Sequence, residues 1–201
     1  MSVFDVLSYP NLFHNLKAAI KEACTPEGSR PTNIYYEDTS IPPQEMLEII
    51  QNKEFSRLPQ IMAEPAKEAY EAHLHTRDGQ LCDVIIDRAA LDAIYQAGQK
   101  ARDKIIKDYA ESVVAVADIR IAVRSQKTGK TVEFMKRAMA ECESLNVDQL
   151  ARAAAGGIEA VTEYLSQTAY AQGGQAIAES PSAFERWCDN RLMQDMQPQK
   201  Y

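Results

Sequence analysis

The chain has 201 residues, 45% hydrophobic and 25% charged, with 22 Lys and Arg against 29 Asp and Glu for a formal net charge of −7. That length and mixture describe one folded domain or two small ones with a real core, and they exclude a disordered chain. The acidic balance argues against general nucleic-acid binding, which needs an excess of Lys and Arg on one face, while leaving room for local basic patches.

The opening "MSVFDVLSYP" lacks both a basic start and a long apolar run, so no signal peptide is expected. "HNLKAAIK" follows as a helix, with Lys17 and Lys21 on one face beside an apolar stripe of Leu16 and Ile20. "NIYYEDTS" is the one short strand candidate, and its Asn, Asp and Ser make it a loop. After "SIPPQE" the spacing predicts a helix with Ser40 as cap, Pro42 and Pro43 in the first turn, and Met46, Leu47, Ile49 and Ile50 as its apolar residues. "LPQIMAEPAKEAYEAHL" reads as a loop and then a helix with Pro65 near its first turn. His73 and His75 point in different directions on such a helix, so they mark a solvated helix end before the turn at "RDGQ" rather than a metal site.

The longest periodic stretch runs from about Ala89 to Gln126, with one break near Gly98. Its apolar series is Ile105, Tyr109, Val113, Val116, Ile119 and Val123. The run "VVAVA" inside it is cut short by Asp118 and Arg120, far below the roughly 20 residues a membrane helix requires, so no transmembrane segment is expected. "TGKT" resembles the end of a phosphate-binding loop, but Arg124 stands where that loop needs glycine and a helix precedes it. A helix-ending turn with Gly129 near the C-cap is the better reading, and direct nucleotide binding is not expected. "TVEFMKRAMAEC", "NVDQLARAAA", "GIEAVTEYLSQTAY" and "PSAFERWCDNRLMQDM" supply further helices, with Phe134, Met135, Ala138, Met139 and Trp187 as core. The class is all-α. Cys24, Cys82, Cys142 and Cys188 are scattered without zinc-ligand spacing, which favours reduced thiols; no catalytic nucleophile, metal or cofactor is expected.

"HNLKAAIK" returns about a hundred residues later as "ADIRIAVR", so that Asn15 meets Asp118, Leu16 meets Ile119, Lys17 meets Arg120 and Lys21 meets Arg124. "SIPPQEML" meets "SLNVDQLA" at nearly the same offset, and "IIDRAALDAI" meets "WCDNRLMQDM" with Asp87 on Asp189. Three matches in one order predict two related helical repeats, 1–108 and 109–201. A third copy would begin beyond Tyr201, which fits either a truncated piece or a two-unit protein. The basic line Arg120, Arg124 and Lys127 lies on one helix face. It is either a contact for an acidic partner, phospholipid headgroups or another helix, or else a solvated face, or an internal pairing with acids such as Asp118 or Asp87.

"YPNLFHNLKAAIK", "VVAVADIRIAVRSQKTGKTVEFMKRAM" and "SAFERWCDNRLMQDMQPQKY" resemble the C subunit (AC39 family) of prokaryotic V-type ATPases and ATP synthases, whose eukaryotic relative is subunit d of the vacuolar proton pump. Asn15-Leu16-Lys17, Asp118-Ile119-Arg120 with Val123-Arg124, and Phe184-Glu185 with Cys188-Asp189-Asn190 and Leu192-Met193 occupy that family's motif places. The chain departs from the family at Thr39-Ser40 and Glu143-Ser144, where glycines are frequent, and at Asp118, where asparagine is common. The resemblance implies part of a funnel-like, three-repeat, all-helical subunit without catalytic residues, lacking the family's N-terminal helices and last repeat. It implies a peripheral position on the cytoplasmic face of the membrane, between the central-stalk subunits D and F and the proteolipid ring, passing torque between ATP chemistry and H+ or Na+ transport. Candidate interface or repeat-motif residues are Asn15, Lys17, Lys21, Asp118, Arg120, Arg124 and Lys127. Rival readings are an unrelated helical-repeat scaffold for soluble partners and a small helical enzyme with a site assembled from His14, Glu71 and Asp189.

Overall fold

The computed structural model describes residues 3–26 and 34–196. Met1 and Ser2, Asn33 of "NIYYEDTS" and the closing 197–201 lie outside the described residues. Helices and the loops between them make up all that is described, and the class is all-α. The chain divides into two compact units, 4–93 and 94–196 among the described residues.

In the first unit, α1 (Val3–Cys24) carries Leu12, Phe13, Leu16 and Ile20 into the core. The helix is already running at Val3 and contains Pro10, so the lead-in to "NLK" is itself helical. α2 (Pro43–Gln51) starts with proline at its first position, and Pro42 rather than Ser40 is the cap residue. A proline there has no N–H to satisfy, which removes part of the need for a side-chain cap. α3 (Gln60–Thr76) begins after Pro59, and Pro65 falls inside it rather than in the first turn. It ends where Arg77 takes a left-handed conformation and donates its N–H to the His73 carbonyl. Asp78 Oδ1 then accepts the Gln80 N–H at 2.9 Å at the start of α4 (Gly79–Lys100). Met46, Ile49 and Ile50 from α2, Met62 and Ala66 from α3, and Cys82 and Ile86 from α4 close on the α1 stripe. Each large side chain so buried contributes about 1.5–3 kcal/mol relative to exposure.

The division between the units falls inside α4. The expected break near Gly98 occurs a few residues later, at 101–103, and α5 (Lys104–Thr128) follows as a separate helix. Asp103 caps it by accepting the Ile105 N–H at 2.9 Å, and Gly129 ends it at φ 66°, a conformation that favours glycine. α6 (Val132–Ala138) is capped by Thr131 and α7 (Val147–Gly156) by Asn146, each side chain accepting an N–H three residues on. α8 (Ile158–Ser166), α9 (Ala171–Glu179) and α10 (Pro181–Met196) follow, consecutive helices packing on one another, while α5 packs against α6, α7, α8 and α10. Val116, Ile119, Val123, Met135, Met139, Leu150, Val161, Leu165, Tyr170 and Phe184 form this unit's core. Phe134 and Trp187 pack on its edge, half-buried rather than enclosed.

Candidate functional site

α5 presents two faces in one stretch. Ile119, Ala122 and Val123 turn inward, while Arg120, Arg124 and Lys127 recur at four and three residues on the adjoining face. These three cations stand along one side of a cleft of about 320 Å³. Its apolar lining comes from Val123, Ile158 at the start of α8, Ile177 of α9, and Pro181 and Phe184 in the first turn of α10; Glu185 is its one carboxylate. Phe184 is held by stacking on Trp187, with ring centroids 6.2 Å apart and planes 15° from parallel.

The three cations differ in their surroundings. Arg120 Nη2 donates to Glu185 Oε2 at 3.0 Å and lies 3.6 Å from Asp189 Oδ1, bracing α5 against α10. The ion pairs it makes are therefore with Glu185 and Asp189. Arg124 and Lys127 are exposed, and their side chains have no ion-pair or hydrogen-bond partner among the described residues. Burial pushes the Cys188 thiol, beside Arg120, up to about 11, with the arginine's charge pulling the other way.

The first unit treats its basic pair differently. Lys17 Nζ donates to Asp87 Oδ1 at 2.9 Å, and Lys21 lies 2.5 Å from Asp83 Oδ1, so both lysines are neutralised across α1 and α4. Asn15 is fully buried, accepting the Tyr36 N–H at 2.9 Å and donating to the Tyr36 carbonyl at 2.8 Å and to Thr39 Oγ1 at 3.2 Å. Asp118, equally buried, accepts the Ala140 N–H at 2.9 Å. Both residues thus fasten a later loop segment to the flank of their helix, after α1 for Asn15 and after α6 for Asp118, and both side chains are enclosed. Of the seven candidates, three meet at the cleft, two form ion pairs in the other unit, and two are internal ties.

Sequence reasoning missed Ile158, Ile177, Phe184 and Glu185 as neighbours of the basic line. The sequence register set Asp87 against Asp189 and Lys17 against Arg120, but which acid reaches which cation is decided by the packing of the helices. His14 Nε2 donates to the Ile34 carbonyl at 2.9 Å and its ring stands edge-on to Tyr36. No grouping of three or more His, Cys, Asp or Glu side chains able to hold a metal occurs among the described residues, and the four cysteines are free. No helix of the described residues is long and apolar enough to cross a membrane.

Fold and site together define an all-α protein of packed helices with a basic-rimmed, apolar-lined cleft in its second unit. Over residues 1–201 the sequence matches the ATP synthase (C/AC39) subunit family, and the chain belongs to that family. Its members are subunits of a V-type, ion-transporting rotary ATPase other than the catalytic one. No curated protein and no solved structure matches the chain.

Proposed function

We propose that the chain is a non-catalytic central-stalk adaptor, joining stalk subunits D and F to the proteolipid ring at the cytoplasmic face of the membrane and passing torque between ATP chemistry and H+ or Na+ transport. The family match over 1–201 is the observation that carries this reading. A torque-passing part needs stiff bodies and broad contact faces, and two well-packed helical cores with charged outer faces suit that task. Family membership removes "unrelated" from the scaffold alternative. The enzyme alternative has no observation in its favour, because His14 is bonded to a backbone carbonyl and Asp189 to Arg120.

The two units are read as copies of one helical module. Support comes from matched internal ties, Asn15 to residue 36 and Asp118 to residue 140, and from matched cross-helix pairs, Lys17 with Asp87 and Arg120 with Asp189. The test of the adaptor reading is size-exclusion co-migration of the chain with the D and F subunits of the same organism, at low and high salt. A salt-sensitive complex is expected; no complex at either salt concentration would overturn the reading.

A further inference from the structure

In register, Asp83 corresponds to Glu185 and Asp87 to Asp189. In the first unit these two acids neutralise two cations, Lys17 and Lys21. In the second unit one arginine, Arg120, holds both acids. Arg124, the counterpart of Lys21, is thereby left without an acid, and Lys127, whose counterpart is the half-buried Cys24, adds a second free cation one turn on. Both stand over the apolar floor of the cleft.

The geometry points to a docking site on the second unit for an acidic amphipathic helix of a partner protein. Its carboxylates would meet Arg124 and Lys127, and one large apolar side chain would seat against Ile158, Ile177 and Phe184. Charge complementarity decides the occupant's sign, because Arg120 is matched by Glu185 and Asp189 while Arg124 and Lys127 at the cleft are not. Helical spacing decides its form: Arg124 and Lys127 are three residues apart, and carboxylates one turn apart on a crossing helix present a matching pair. A concave, apolar floor suits a protruding side chain better than it suits a flat lipid surface. The comparison of the units rests on the duplication proposed above, whereas the cleft and its free cations do not.

Trp187, the chain's single tryptophan, stacks on the floor residue Phe184 and so reports on occupancy by its own fluorescence. The probe is a short alanine-rich helical peptide without Trp or Tyr, carrying two glutamates one turn apart and one phenylalanine on the adjoining face. Titration of the chain with it should give a saturable shift in Trp187 emission. Replacing the peptide's glutamates by glutamine, or using R124A/K127A protein of unchanged melting temperature, should weaken affinity about tenfold. K17A protein should bind as the wild type does. No shift with the glutamate peptide, equal affinity for the glutamine peptide, or indifference to R124A/K127A would overturn the proposal. So would a shift produced by phosphatidylglycerol-containing vesicles, lost in R124A/K127A, in the absence of any peptide response. Peptide binding to the isolated chain and co-migration with D and F are separate measurements, so failure of the first overturns the cleft proposal and leaves the adaptor reading to the second.

Discussion

Replacing Gly98 with alanine puts a methyl group where α4 and α5 touch. A Cβ built on Gly98 falls 2.3 Å from the Ala110 Cβ and 3.8 Å from the Ala110 Cα. Carbon atoms rest at about 3.5–4.0 Å, so the helices must separate by roughly 1.2 Å or more, and no flexible side-chain end is there to move aside. Overpacking of this kind costs about 1–3 kcal/mol, against a gain of about 1 kcal/mol from putting alanine in place of glycine within a helix. G98A should therefore destabilise by up to about 2 kcal/mol. A110G alone loses about 1 kcal/mol of helix propensity. In G98A/A110G the propensity terms cancel and the methyl group simply changes sides, so the double variant should lie near the wild type, with a coupling of about 1–3 kcal/mol in favour of the pair. Urea unfolding followed by helical circular dichroism measures all four proteins. A stabilised G98A, or a double variant no better than the sum of the singles, would refute the close packing.

Asn15→Ala leaves the Tyr36 N–H and carbonyl without their side-chain partner and should cost about 1–3 kcal/mol in urea unfolding. Asn15→Asp sets a carboxylate against the Tyr36 carbonyl, which raises the folded-state pKa; its stability relative to wild type should be greatest below pH about 4 and fall as pH rises through the folded value. Arg120→Glu places a third carboxylate beside Glu185 and Asp189 and should lower Tm by about 2–4 °C, the shift expected for about 1 kcal/mol at this size, whereas Arg124→Glu should leave Tm unchanged. Differential scanning fluorimetry separates them, and equal shifts would contradict the assignment of Arg120 as the brace. Burial pushes the Cys82 and Cys142 thiols up to about 12 and Cys188 to about 11, so these should react slowly with a disulfide reagent at pH 8 until the protein is unfolded. Since the folded pKa values lie above the ordinary value of 9.0, their contribution to stability is complete below pH 9 and is lost as pH rises toward 11 to 12, which a falling Tm over that range would register.

Helical class, the break after Gly98, the Gly129 stop and the apolar faces of α1 and α5 were all legible in the sequence, because they depend on residues three and four apart or on a single backbone preference. The matched motifs carried the family resemblance for the same reason: side-chain order along a helix is preserved in the linear chain. Helix starts were read less well at Ser40 and Pro65, where proline geometry settled the first turn without a side-chain cap. Their places in the repeated motif put Asn15 and Asp118 among the candidate interface or repeat-motif residues. Only packing, which places both at zero exposure against a later loop, made them internal ties. The division of labour among Arg120, Arg124 and Lys127 was also hidden, since whether a cation is neutralised depends on which distant carboxylate reaches it. Glu185 and Asp189 lie more than sixty residues away in the chain, and the docking of α10 on α5 brings both to one guanidinium. Periodicity sets which face of a helix is apolar, and that much is local; the partner each face meets, and the cleft left between partners, arises only when the helices pack.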